Sequence, residues 1–413
     1  VLDGYPLAQK GKGNKAMKMA LYSSVVGDTF SDVMLIFAAG FLASIALNFG
    51  PPEYTLLTGF SLLCISSLTG NTIWKGLFSV FLGMVIGIIG LDPITATPRL
   101  TFDYLELEEG IGLIPMLIGT LAVSEALRQM EQPIKKLASS TLSFSKKKID
   151  NIVTISEFKS TIPVLIKSSS LGTLIGAMPG LGSTIAAFLA YGEAKRSSKN
   201  PDKFGKGSLE GIAASESANN AVSGSNMIPL LAFGIPGDIA AALIMGAFLI
   251  QGITLGPVVF QDNPVEIYAI FAALIVANIF NLFLGHGLIK MCKHVVTVPK
   301  RLLFPAVLVI ASAGAYALRG SIFDIQLVFL FGVLGYLMIK CDIPTVPMLI
   351  GFILMPIFEE NLRTTILLGS SHDLNIGFIF TRPAFVTLLL IMITTSFIIV
   401  RRRKLRSFEK LND

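Results

Sequence analysis

Long apolar runs alternate with short polar and basic stretches along the whole chain, and the runs set the expected elements. Apolar stretches at 20–47, 54–68, 73–91 and 111–127 form a first group. A second group covers 239–260, 267–292, 302–318, 322–339, 346–358 and 383–400. Between them lie 163–191, long and interrupted, and 211–233, only weakly apolar. Crossing hydrocarbon takes about 20 apolar residues at roughly 1.5 Å per residue. The longer runs therefore predict transmembrane helices and the shorter ones re-entrant segments. Glycine, proline and polar residues punctuate 172–257, in Met178-Pro179-Gly180-Leu181-Gly182-Ser183-Thr184, Glu216-Ser217-Ala218-Asn219-Asn220-Ala221 and Gly234-Ile235-Pro236-Gly237-Asp238. An unpaired N–H or C=O is costly in hydrocarbon, so broken backbone at membrane depth implies burial in protein or a lined cavity. The pattern predicts a solute pathway.

Three basic stretches orient the chain: Lys135 to Lys159, Lys195 to Lys206, and the tail from Arg401 to Arg406. The positive-inside rule places all three in the cytoplasm. The first two flank 163–191, so that segment is expected to leave and return on one side, as a hairpin broken near Met178-Pro179-Gly180. The alternative is one tilted helix kinked at the proline. The chain also repeats itself. Pro115-Met116-Leu117-Ile118-Gly119 recurs as Pro347-Met348-Leu349-Ile350-Gly351, with Glu125 after the first copy and Glu359 and Glu360 after the second. Gly4 and Gln9 match Gly246 and Gln251, and a glycine-bearing helix occurs in both halves (Gly83 and Gly87; Gly332 and Gly335). In this order the matches argue for two structural repeats. The expected division is 1–130 for the remainder of the first repeat, 131–159 for a basic cytoplasmic linker, 160–400 for the second repeat and 401–413 for a basic cytoplasmic tail. The chain opens on Val1, and the repeat offset puts the first repeat's partners of Met178–Thr184 upstream of it. The expectation is that the N-terminal part of that repeat is missing.

Composition agrees: 53% of residues are hydrophobic and 15% charged, where a soluble domain carries about a quarter charged. The chain reads as an all-α polytopic membrane protein. Its net charge of +6 resides in the inter-helix stretches and is no nucleic-acid signal. Cys64, Cys292 and Cys341 show no pairing pattern, and His286, His294 and His372 are scattered, so neither a disulfide frame nor a metal centre is expected. Lys10-Gly11-Lys12-Gly13 and Gly205-Lys206-Gly207-Ser208 lack the glycine that a phosphate loop requires.

Pro179, Gly180 and Gly182 fall in one turn of the first motif. The freed N–H groups of the next half-helix, with the Ser183 and Thr184 hydroxyls, suit a carboxylate. Close helix packing through small residues is the other reading. At helical spacing Glu216, Asn219 and Asn220 share a face. That face either lines water or ligand or belongs to a solvated interfacial helix. Pro236 and Gly237 repeat the break. Asp238 then either binds an ion or simply caps the following helix. Glu359, Glu360, Asn361 and Arg363 form a polar knot after 346–358, which either caps a re-entrant helix or, the favoured reading, is an ordinary loop. Asp28 and Asp32 share a helix face and would line a cavity or meet another subunit.

These motifs carry a resemblance. Met178-Pro179-Gly180-Leu181-Gly182, Glu216-Ser217-Ala218-Asn219-Asn220-Ala221, Ile228-Pro229, Gly234-Ile235-Pro236-Gly237 and Gly246-Ala247 resemble the large membrane subunit of the tripartite tricarboxylate transporter family. So do Leu2-Asp3-Gly4-Tyr5-Pro6, Phe49-Gly50-Pro51-Pro52-Glu53-Tyr54 and Phe358-Glu359-Glu360-Asn361-Leu362-Arg363. The resemblance implies a secondary active carrier of the bacterial inner membrane with an elevator-like motion of its hairpin-bearing part. It implies a small membrane subunit and a periplasmic solute-binding protein as partners, a carboxylate as substrate, and a Na⁺ or H⁺ gradient as driving force, without a cofactor. Gly180, Gly182, Ser183 and Thr184, beside Asn219 and Asn220, are the expected carboxylate ligands. Pro179, Pro236 and Gly237 are the helix-breaking positions, and Asp238 and Glu216 the candidates for ion coupling. An embedded enzyme acting on an acidic or lipid-linked substrate would need a nucleophile–base pair or metal set that the sequence does not display. A channel or scaffold would want a continuous polar pore.

Overall fold

The computed structural model describes residues 3–68, 73–92, 94–131, 147–178, 182–295, 300–371, 376–390 and 392–394. Pro179 and Gly180, most of the basic linker and the C-terminal tail lie outside these residues.

Helices make up nearly all of the described structure. A first turn, Gly4–Leu7, passes through the π-helical Ala8–Lys12 into α1, Gly13–Ala46. Then come α2 (Pro51–Leu68) and α3 (Ile73–Gly87). Leu113–Leu117, a π-turn at Ile118–Val123 and Ser124–Glu131 form one interrupted helix, α4. They are followed by α5 (Ile155–Gly176), α6 (Gly182–Ser197), α7 (Leu209–Phe233), α8 (Ile239–Ile250), α9 (Pro264–Val295), α10 (Lys300–Arg319), α11 (Ile322–Lys340) and α12 (Val346–Ser371). Among the described residues, three helices are long and apolar enough to cross a membrane: Gly4–Ala46, Pro264–Ile289 and Ile322–Lys340. Several expected spans fall short of that test for a physical reason. Helices such as α7 bury small and polar residues against protein, where lipid-grade hydropathy is not needed.

The expected hairpin is present. Lys167 of α5 forms a salt bridge at 2.6 Å with Glu193 of α6 and donates to the Ser197 hydroxyl at 2.9 Å. Those contacts require α6 to run back along α5, which a single kinked helix would not do. Both helices pack on α7. A Cβ added at Gly172 would lie 2.4 Å from the Ala218 carbonyl oxygen, so α5 and α7 touch backbone to backbone. On its other side α7 meets α1, where a Cβ at Gly27 would lie 2.2 Å from the Ser217 carbonyl oxygen.

The two Pro-Met-Leu-Ile-Gly segments pack reciprocally. Gly351 of α12 abuts Val80 of α3, while Gly119 of α4 abuts Val328 and Gly332 of α11. Each glycine-bearing helix thus meets the other half's copy of the segment.

Two elements differ from the sequence expectation. The polar knot is helix: α12 runs on through Glu359 to Ser371, because Glu359 is paired with Arg363 one turn on and with Arg99 from the loop after α3. That loop holds a two-stranded antiparallel ladder, Gly90–Leu91 with Pro98–Arg99, inside an otherwise helical chain. Asp92 organises it. The Thr95 and Ile94 N–H groups donate to its carboxylate, and Arg363 adds a 2.8 Å contact. These donors hold the Asp92 carboxyl well below the usual carboxylate range. Because the folded-state pKa is depressed, this contribution to stability is fully present above pH ~4 and is lost as pH falls below it. Asp92→Asn should therefore melt below the wild type at pH 7 and show a shallower fall of melting temperature on acidification. Parallel acid profiles for the two proteins would refute the assignment.

Candidate functional site

The middle of the molecule is organised by α7. Residues 211–214, 217, 218, 221, 222 and 224–232 of this helix are buried. Small residues make that burial possible, since Ala, Ser and Gly let three helices approach one backbone. Ser208 caps its start by accepting from the Gly211 N–H, and Gly234 ends it in the left-handed conformation.

One stretch of α7 breaks the burial. Glu216, Asn219 and Asn220 are half-buried and Ser223 is exposed. The expected shared face is therefore real, and it continues to Ser223, which the sequence reading passed over. Asn220 turns toward α1, donating to Ser24 Oγ at 2.8 Å and to the Glu216 carbonyl at 2.9 Å. Its amide is committed to helix packing, and Asn219 is left as the freer amide of the pair. A second polar contact reaches α1 from α9: Asn278 donates to Asp32 at 2.7 Å, and Asp32 is buried beside Gly224 of α7. Asp28, one turn earlier on α1, is half-buried.

Gly182 opens α6 with φ +68°, a conformation that L side chains rarely adopt, and open space lies where a Cβ would point. Ser183 is half-buried and Thr184 exposed on the first turn. One turn further on, Ala186 and Ala190 pack against Ala218 and Val222 of α7. The start of α6 thus stands beside the middle of α7, with its first N–H groups unclaimed by the helical ladder. Pro236 and Gly237 are buried in the break between α7 and α8. Asp238 caps α8, its Oδ1 accepting from the Ala241 N–H at 3.0 Å, which matches the simpler of its two sequence readings.

The sequence reading missed Asn226. Its side chain is 3% exposed and its Oδ1 has no hydrogen-bond partner. It faces the Gly237 break. Pro229, three residues on, was the available signal, because a proline there disturbs the helical bonding around it.

One other region lacks the chemistry for an anion. A crevice of about 450 Å³ between α4 and α8 is lined by leucine, isoleucine, alanine and glycine, with Gln251 at its edge. Among the described residues no group of three His, Cys, Asp or Glu side chains could hold a metal ion.

A small-residue hairpin, a glycine-started half-helix and a polar window on a buried helix form one unit. The family model described as tripartite tricarboxylate transporter TctA family matches residues 1–350. The chain belongs to the TctA family. It is therefore a subunit of a transport system, and its apolar helices are those of a membrane protein. An uncharacterised 52.8 kDa protein of Agrobacterium vitis, from the 3′ region of ttuC′ in TAR-I, is 36% identical over 89% of this chain and 72% of its own length. A second uncharacterised A. vitis protein, from the corresponding region of TAR-II, is 41% identical over 48% of this chain and 82% of its own length. No solved structure matches.

Proposed function

We propose that this TctA-family chain is the large subunit of a binding-protein-dependent secondary carrier that imports tricarboxylates or related carboxylates across the bacterial inner membrane, driven by a Na⁺ or H⁺ gradient. A small membrane subunit and a periplasmic solute-binding protein complete the system. The observation that carries the reading is the polar window of α7. A helix otherwise packed in small and apolar side chains presents Glu216, Asn219, Asn220 and Ser223 as an accessible polar stripe. Intramembrane polar faces of this kind mark solute paths. The adjacent start of α6, with Gly182, Ser183 and Thr184, supplies the positive end of a half-helix dipole to a carboxylate. Pro179 and Gly180, expected from the sequence in the same turn, lie outside the described residues.

Reciprocal packing of the two Pro-Met-Leu-Ile-Gly segments supports two repeats, a plan in which one unit rocks or slides against the other. The unit formed by α5, α6 and α7 is the candidate moving part, because it carries the broken backbone.

Uptake of radiolabelled citrate into vesicles, with the small subunit and the binding protein supplied, tests this. Wild type should accumulate label in an ion-gradient-dependent way, and Asn219→Ala should lower the rate by about tenfold or more, as expected for a lost polar contact to a buried charge. Wild-type rates in Asn219→Ala would move the carboxylate site off α7. Uptake that persists without the binding protein would overturn the tripartite reading for this chain.

A further inference from the structure

We infer that Asn226, the Gly176 carbonyl and the Gly237 break form a site for a desolvated alkali cation, Na⁺ by the chemistry of its oxygens. Three segments meet there. A Cβ built on Gly237 would lie 2.6 Å from Asn226 Oδ1 and 3.4 Å from the Gly176 carbonyl oxygen. Both oxygens therefore border the same small volume beside Gly237. Asn226 Oδ1 is buried and accepts no hydrogen bond, and such an orphan is costly unless something positive faces it.

More oxygens lie along the same α5–α7 seam. Gly176 ends α5, so its carbonyl lies past the helical ladder at the negative end of that helix. Pro229 has no N–H to return to the Ser225 carbonyl one turn back, which frees a second main-chain oxygen next to Asn226. Ser225 itself is buried against Gly176. On the α5 face that packs on α7, Ser169 and Thr173 are buried and their hydroxyls have no partner. Ser23, Ser217 and Ser225 behave differently, each donating to the carbonyl four residues back. Ser169 and Thr173 have not taken that default, and Thr173 sits within one turn of Gly176.

The set is made of neutral amide, carbonyl and hydroxyl oxygens. A divalent ion would want carboxylates to offset its dehydration, and none of the named groups is charged. A monovalent cation at the ends of interrupted helices fits this donor class. Asn226 lies seven residues beyond Asn219, on the same face of α7 and about 10 Å along its axis. A cation there would fix the hairpin end, α7 and the α8 break together, directly beneath the polar window. Its assignment as the coupling ion rests on the carrier reading above, whereas its binding does not.

Equilibrium binding of radiolabelled Na⁺ to the purified full chain in detergent tests the site without any transport assay. Wild type should bind Na⁺ saturably, with unlabelled Na⁺ competing and K⁺ competing poorly. Asn226→Ala, and Gly237→Ala through its methyl, should weaken binding by about tenfold or more. Asn226→Asp keeps a cation-ligating oxygen and should retain binding, which separates ligand loss from misfolding. Gly40→Ala, on the exposed face of α1 with nothing within 4 Å of its Cβ position, should bind as wild type. Absence of saturable Na⁺ binding in the wild type would overturn the site, as would unchanged binding in Asn226→Ala. So would an Asn226 amide turned to donate to Gly176: Asn226→Asp would then melt lower and bind no Na⁺. Na⁺ binding in a chain that fails every uptake assay would leave the site standing and remove the carrier reading. Na⁺-driven uptake unchanged in Asn226→Ala would do the reverse.

Discussion

Gly83→Val should leave no properly folded protein to study. A Cβ at Gly83 would lie 1.9 Å from the Met348 carbonyl oxygen, 2.7 Å from its carbon and 2.9 Å from the Phe352 nitrogen. All three are main-chain atoms of α12, so no rotamer change can make room. Either α3 or α12 must move, and each is pinned elsewhere. Gly87, one turn further on, has the Phe352 carbonyl at 2.9 Å from its own Cβ position, and Gly351 reciprocates with Val80 at 2.5 Å. Overpacking a well-filled core costs about 1–3 kcal/mol when side chains can adjust. A clash with rigid backbone at a crossing that the molecule uses twice belongs above that range. Gly40→Ala is the matched control: it is exposed on α1, nothing lies within 4 Å of its Cβ position, and it gains the helix-propensity difference of about 0.5–1 kcal/mol. Size-exclusion profile and melting temperature in detergent read both. A monodisperse Gly83→Val protein melting with the wild type would mean that α3 and α12 do not cross at these glycines.

Much of this architecture was legible in the chain. The Pro-Met-Leu-Ile-Gly repeat and the paired glycines were legible as marks of two repeats; that α3 crosses α12 and α11 crosses α4 at those glycines is visible only in the structure, where close backbone approach makes glycine worth its entropy in a helix. The hairpin was legible from charge: Lys135 to Lys159 and Lys195 to Lys206 on either side of 163–191 required an even number of crossings. Glu216, Asn219 and Asn220 were legible as a face through helical spacing alone.

What escaped depended largely on partners distant in sequence. Glu359 and Arg363, one turn apart in Phe358-Glu359-Glu360-Asn361-Leu362-Arg363, are a local helix signal that the sequence reading did not use; Arg99 and Asp92, brought in by the loop after α3, pair with the same two side chains and let α12 continue. Nothing local separates Asn220 from Asn219. Ser24, 196 residues away, claims one and not the other. Asn226 escaped for a different reason. It lies among Gly224, Ser225, Met227 and Ile228, where a single amide looks like tolerated polarity, and only the neighbouring Gly176 and Gly237 backbones show that its oxygen is stranded.

Arg382→Ala is expected to destabilise the protein by about 3 kcal/mol, through the carboxylate it leaves behind. Glu53 is 0% exposed, in the first turn of α2. One of its oxygens accepts from the Gly50 N–H at 2.8 Å and the other from Arg382 Nε at 2.5 Å. The first bond is a helix-capping contact and survives the substitution; the second is the charge partner and does not. The side chain of Arg382 is 36% exposed, so water reaches the guanidinium and screens part of the attraction. That places the loss at the low end of the range for broken buried pairs. The double variant Glu53→Gln with Arg382→Ala separates charge from packing. The amide introduced by Glu53→Gln can still accept from the Gly50 N–H but carries no charge to desolvate, so the double variant should melt above Arg382→Ala alone. If Arg382→Ala and the double variant melt together, the loss comes from the arginine's packing on α2 and the carboxylate is adequately solvated without it. If Arg382→Ala melts with the wild type, Glu53 draws its stabilisation from the cap alone, and the end of the chain after α12 is not held to α2 by this pair.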